Sequence, residues 1–190
     1  TFNDADEVAD GAISINPGYV ADIEVSPQVA GKRDIVVFGE ANTPDGAGIF
    51  RCTVTGDSAS AWEDATAYPG WDDSGALHSW IVTEGEFSPN YATDKTLLVT
   101  TIEDGYYVDL QFCSLGTNPA WNEKSTLGIA AVSIIDDVDM PEGFLTWDAR
   151  ILAGLTLPSD YNSKNTDTRV LWVWVNYYDS DAGYSASQIV

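Results

Sequence analysis

Apolar and polar positions fall into short blocks along this chain. Runs of β-branched and aromatic residues are broken by turns rich in Ser, Pro, Asn, Asp and Gly, the pattern of strands rather than of long helices. Three segments share one order of blocks. The first runs Ile23-Glu24-Val25-Ser26-Pro27 and continues into Arg33-Asp34-Ile35-Val36-Val37-Phe38. The second runs Gly85-Glu86-Phe87-Ser88-Pro89-Asn90-Tyr91-Ala92-Thr93-Asp94 into Thr96-Leu97-Leu98-Val99-Thr100, and the third runs Leu155-Thr156-Leu157-Pro158 into Arg169-Val170-Leu171-Trp172-Val173-Trp174-Val175. Each reads as strand, turn, strand.

A Gly-containing turn and a third strand follow in each copy. They are Gly46-Ala47-Gly48 before Ile49 to Val54, Asp104-Gly105 before Tyr106 to Cys113, and Asp181-Ala182-Gly183 before Tyr184. Asp-Gly is a strong hairpin signal. In the first two copies a polar stretch then ends in Ala61-Trp62 and Ala120-Trp121, after which a fourth strand is expected. Four antiparallel strands recurring as a block fit a propeller blade better than a sandwich, whose strands do not repeat in blocks. The expected fold is therefore all-β, one module of about three four-stranded antiparallel blades forming a β-propeller-like arc, itself part of a larger propeller or assembly. Approximate blades are 12–66, 77–127 and 146–190, with an insertion at 128–144 that has no counterpart after Trp62.

Composition narrows the classes of partner. Apolar residues make up 44% of the 190, enough for a substantial core. Thirty acidic against eight basic residues give a formal charge of −22, which repels phosphate backbones and anionic membrane surfaces and argues against nucleic acid. No window approaches the apolar length of a membrane span, so no membrane insertion is expected of this segment. The chain begins at Thr1 rather than Met and ends in Gln188-Ile189-Val190, which reads as mid-strand, so a piece of a longer secreted or cell-surface protein is expected. Cys52 and Cys113 fall on the same strand of successive copies, a placement that favours two buried thiols over a disulfide.

The Ser26-Pro27 and Ser88-Pro89-Asn90-Tyr91-Ala92-Thr93-Asp94 turns, each followed by an apolar strand and later by a Trp, resemble the bacterial-neuraminidase-repeat, or Asp-box, propellers. Thr55-Gly56-Asp57-Ser58-Ala59-Ser60-Ala61-Trp62 keeps that family's hydroxyl, Asp and Trp but has Ala in place of its Gly. Ser114-Leu115-Gly116-Thr117-Asn118-Pro119-Ala120-Trp121 keeps only the Ser and Trp. The resemblance implies a structural hairpin at the blade periphery, not a catalytic motif, and a setting in a bacterial surface protein. Sialidase chemistry would require by the same resemblance an arginine cluster; Arg33, Arg51, Arg150 and Arg169 share no such pattern.

Candidate chemistry is sparse. Asp179 and Asp181, alternating ahead of Gly183, are candidate Ca²⁺ ligands, as are the acidic clusters Asn3-Asp4-Ala5-Asp6-Glu7 and Asp136-Asp137-Val138-Asp139, although solvated turn acids are the preferred reading. The single histidine, His78, has no partner motif and reads as structural. Trp172 and Trp174 share one strand face, where core packing is preferred to a carbohydrate platform because both faces of a blade are covered. Tyr68, Trp71 and Tyr91 are the aromatics expected on a loop rim for a glycan or protein partner. The expected function is a non-enzymatic structural or interaction module, with self-assembly in an envelope layer through other blades or copies as its expected setting. The alternatives are a glycan- or protein-binding propeller, or part of a glycan-active enzyme.

Overall fold

The computed structural model describes residues 15–41, 46–71, 79–103, 108–123, 132–135, 149–179 and 184–189. Three separate antiparallel sheets form in chain order, and none closes on itself. The first contains β1 (Ile15–Val25), β2 (Lys32–Ala41) and β3 (Ala47–Thr55), with β4 (Ser58–Ala59) and β5 (Glu63–Asp64) both pairing with β3. The middle sheet contains β6 (Ser79–Phe87), β7 (Thr96–Glu103) and β8 (Val108–Ser114), flanked by β9 (Ala120–Trp121) and β10 (Val132–Ile135), which both pair with β8. In the third, β11 (Ala149–Thr156), β12 (Trp172–Asp179) and β13 (Tyr184–Ile189) run as a three-stranded meander.

The sheets stack in series because their central strands are apolar on both faces. One core joins Val36, Phe38 and Ile49 of the first sheet to Phe87, Leu97, Val99, Cys113 and Trp121 of the middle sheet. A second core joins Leu98, Leu110 and Phe112 on the opposite face of the middle sheet to Ala153, Leu155, Val173 and Val175 of the third. Leu97, Leu98 and Val99 are all fully buried, so β7 is apolar at consecutive positions, as a strand covered on both sides must be. Phe38 packs on Gly85, where a Cβ would collide with its ring, so glycine lets the first two sheets approach closely here.

The strands expected from the three segments all form, but the fourth-strand expectation needs correction. In the first sheet it is reduced to two-residue pieces on either side of Ala61-Trp62. Asp64 then accepts a hydrogen bond from the Thr66 amide at 2.9 Å, capping a 3-10 turn at Ala65–Ala67 that carries the chain out of the sheet. In the middle sheet Ala120–Trp121 is itself the paired segment, and Val132–Ile135 of the insertion supplies a further strand on β8. The Ser88-to-Asp94 turn contains a single helical turn, Tyr91–Asp94, closed by Lys95 at φ 57°. Cys52 and Cys113 are buried free thiols.

Candidate functional site

Three polar constructions lie between the sheets, and each is made from residues of different repeat copies. The first surrounds Asp34 on β2. Its carboxylate accepts from Arg51 Nε at 3.1 Å, Arg51 Nη2 at 2.9 Å and Thr53 Oγ1 at 2.7 Å, and from the Tyr91 hydroxyl of the middle sheet. Arg51 also donates to Glu63 at 3.0 Å and to the Tyr68 hydroxyl at 3.3 Å. Burial alone pushes the Asp34 carboxyl up, yet the hydrogen bonds from Tyr91 and Thr53 and the Arg51 cation outweigh it and hold the group below its ordinary value. Asp34 is thus an ionised cross-tie between sheets.

The same construction corrects the expectation for the rim aromatics. Tyr91 is buried at 1% exposure, so it is a core residue with its hydroxyl committed to Asp34 and no surface for a ligand. Its helical turn rolls the ring inward, where it meets Phe87 edge-to-face at 5.0 Å and carries the Lys95 ammonium at 4.7 Å. Tyr68 and Trp71 are partly buried against the same core, and Trp71 packs edge-to-face on Trp121 at 4.7 Å.

A matching clamp joins the middle and third sheets. Asp94 accepts from Ser88 Oγ at 2.6 Å and from the Thr96 and Ser163 amides at 3.2 Å, while Thr96 and Ser163 hydroxyls pair at 2.6 Å. Asn90 Nδ2 donates to the Tyr161 carbonyl. Ser88, Asn90 and Asp94 of the Ser-Pro-Asn-Tyr-Ala-Thr-Asp turn are therefore spent inside the fold, holding the loop that precedes β12.

The third construction is an acidic cleft along β1, β6 and β11. It has a volume of about 560 Å³ and is lined by Glu24, Arg33, Glu84, Glu86 and Leu155 among others. Asp22 Oδ2 accepts from the Gly85 amide at 3.3 Å, Glu84 is hydrogen-bonded to the Leu155 backbone, and Glu86 Oε2 accepts from the Leu157 amide at 3.1 Å. Carboxylates on the first strand of one sheet thus grip backbone N–H groups on the first strand of the next. Burial raises all three glutamates above their ordinary value, with neighbouring acids adding to the effect, and Glu86 is pushed up to about 7. The Glu84 carboxylate also lies over Gly154 beside the Trp174 indole, in space a Cβ would fill.

These glutamates were not singled out from sequence, although a signal exists. Glu24 and Glu86 each stand two residues ahead of the Ser-Pro pair, and Thr156 stands two ahead of Pro158 in the third copy. The repeat offset picks them out of thirty acids.

The pH dependence of stability follows from Glu86. Its folded value of about 7 lies above the unfolded value near 4.5, so the folded state holds a proton that the unfolded state releases. Stability is fully retained below pH 4.5 and declines as pH rises toward 7. The full shift corresponds to about 3 kcal/mol, reduced to about 1–2 kcal/mol for a side chain that still touches solvent. Glu86→Gln should therefore be more stable than the parent at pH 8 and nearly equal to it at pH 4, measured by thermal unfolding. Parallel profiles for the two proteins would show that Glu86 does not titrate in this range.

Asp179 ends β12, pairing through its backbone with Ala149 and Tyr184; its side chain and all of Asp181 lie outside the described residues. So do His78 and the clusters at 3–7 and 136–139. Among the described residues no group of three or more His, Cys, Asp or Glu is arranged to hold a metal ion. No helix among them is long and apolar enough to cross a membrane. Trp172 and Trp174 do share a face, but it is exposed, contrary to the expected core placement, because no sheet among the described residues lies against it. No family model, curated protein or solved structure matches the chain.

Proposed function

We propose that this chain is a non-enzymatic stacking module of a secreted or cell-surface protein, an open arc of propeller-like blades that builds a larger ring or layer by adding neighbours at its ends. The observation that carries the reading is the burial of the middle sheet on both faces while apolar residues on the outer faces of the first and third sheets are left exposed. A strongly acidic surface keeps such modules soluble and disfavours polyanionic partners. Glu84 and Glu86 of the cleft support a structural role, since their oxygens are engaged by backbone N–H groups of the adjacent sheet's segment at Leu155 and Leu157.

Sedimentation of the purified chain tests the reading. Concentration-dependent assembly without added ligand, strengthened by salt that screens a charge of −22, is the expected result. A monomer at every concentration and ionic strength would overturn it. One observation favours a second reading, in which the arc binds a glycan: Trp172 and Trp174 are exposed on one face with the Glu84 carboxylate beside Trp174, and stacked aromatics with nearby acceptors suit sugar rings.

A further inference from the structure

On the face that the middle sheet turns toward the first, one patch breaks the apolar pattern. Thr101 of β7 and Asp109 and Gln111 of β8 alternate onto the same face as Leu97, Val99 and Cys113, and all three polar side chains are fully buried. The matching rows of the first sheet are different. There Gly39 pairs with Gly48, Val37 with Phe50 and Ile35 with Cys52, where the middle sheet pairs Thr101 with Asp109, Val99 with Gln111 and Leu97 with Cys113. Two glycines and a phenylalanine thus fill the positions of Thr, Asp and Gln. The shared strand pattern does not require these polar residues.

Their geometry is specific. Gln111 Nε2 donates to Thr101 Oγ1 at 3.2 Å, which sets the hydroxyl oxygen against the nitrogen of the carboxamide. Asn122 Nδ2 donates to Gln111 Oε1 at 3.1 Å. Asn122 is itself fixed by backbone, its Nδ2 on the Gly70 carbonyl at 3.2 Å and its Oδ1 accepting from the Phe112 amide at 3.1 Å. These contacts decide which end of each amide is oxygen. Asp109 stands opposite Thr101 in the register, and among the described residues neither of its carboxylate oxygens has a hydrogen-bond partner. A carboxylate closed off from water without donors is costly to keep and calls for a role. A hydroxyl, an uncommitted carboxylate and a carboxamide whose oxygen already rests on a donor are the parts of an acyl transfer.

We propose that Thr101 and Gln111 join in an intramolecular ester, made once by the chain upon itself. Thr101 Oγ1 bonds to Gln111 Cδ as the hydroxyl proton passes to Asp109, and Asn122 Nδ2 holds the negative charge that gathers on Oε1. The Cδ–Nε2 bond then breaks. Asp109 returns the proton to the nitrogen, ammonia leaves, and no oxidant or co-reactant is consumed. The carboxamide presents its carbon to the hydroxyl by turning about its last side-chain torsion, which has a broad profile. Directly opposite residues have Cβ atoms about 4.5–5.5 Å apart, so Asp109 reaches the hydroxyl by a rotation of its own side chain. Burial keeps water from the finished ester. The bond locks β7 to β8 in the sheet that carries both cores, whether or not copies of the chain stack.

Mass spectrometry of the purified, denatured chain reads the bond directly. The expected mass is one ammonia below that of the sequence. Cleavage after Glu103 should leave the peptides holding Thr101 and Gln111 joined, and hydroxylamine should then separate them. Thr101→Val should keep the full mass, while Thr101→Ser, which keeps a hydroxyl, should recover the link. Asp109→Asn should still carry the full mass when the parent is fully converted, forming the link about a hundredfold more slowly. The parent's own mass decides the matter even where a variant fails to fold. A parent at full sequence mass after prolonged incubation of the folded chain overturns the proposal. So does ammonia lost with the two peptides unlinked after cleavage, which places the loss elsewhere. A link formed as fast in Asp109→Asn as in the parent overturns the role of Asp109 as the base.

Discussion

Arg51→Met should cost about 3–5 kcal/mol of stability, a large share of the roughly 5–15 kcal/mol that holds a typical domain together. The guanidinium makes two hydrogen bonds to Asp34 and one each to Glu63 and Tyr68, so its loss strands a buried carboxylate with only the Thr53 and Tyr91 hydroxyls. Methionine fills the volume but supplies no charge. The pH response should also weaken. In the parent Asp34 sits below its ordinary value and loses its contribution as pH falls through that range. Without Arg51 the cation no longer helps the Tyr91 and Thr53 hydrogen bonds to lower the carboxyl, so acidification should cost the variant less stability than it costs the parent. Asp34→Asn added to Arg51→Met should recover stability at neutral pH by removing the stranded charge. Urea unfolding at pH 7 and pH 5 checks each statement, and a loss under 1 kcal/mol would mean that water replaces Arg51 at little cost.

Trp121→Ala should be comparably damaging, about 3–5 kcal/mol, because a large side chain leaves a closed space. The indole is 1% exposed, donates to the Ala65 carbonyl at 2.8 Å and meets the Trp71 ring, while its own amide donates to the Pro69 carbonyl at 2.7 Å. It therefore bolts the segment from Ala65 to Trp71, which leads out of the first sheet, onto the middle one. Trp121→Phe keeps most of the apolar volume but loses the donor and should fall between parent and Ala. Trp62→Ala, at the matching Ala-Trp pair of the first copy, should cost clearly less, since Trp62 is only partly buried. Equal losses at the two tryptophans, measured by chemical denaturation, would contradict the unequal roles the structure gives them.

That inequality shows what the sequence could and could not convey. The three-sheet arrangement was legible because it depends on local patterning: in the first two copies the strand before Ser-Pro, the strand after it and the third strand keep nearly the same spacing and their pairing rows agree, while the third copy has Leu157-Pro158 at the turn and a longer link before β12. The all-β, antiparallel character follows from that. Packing between copies was not legible. Tyr91 looked like an exposed turn aromatic, but its fate is decided by Asp34, 57 positions away on another sheet. Repeat logic placed Trp172 and Trp174 in a core because a strand's alternation cannot reveal whether another sheet lies beyond it. The cleft glutamates were hidden among thirty acids, and only their repeated offset from the Ser-Pro turns marks them.

The middle sheet's position between two cores also sets the order in which the molecule can come apart. Either end sheet can peel away by exposing a single core, while β6, β7 and β8 can be freed only after both neighbours have left. Opening is therefore hierarchical, from the flanks inward, and the amides of β7 belong to the last unit to exchange with solvent. Any load passed along the stack must cross that sheet, so the side chains that tie it to its neighbours, Tyr91 to Asp34 on one flank and Asp94 to Ser163 on the other, act as the hinges of the three stacked sheets.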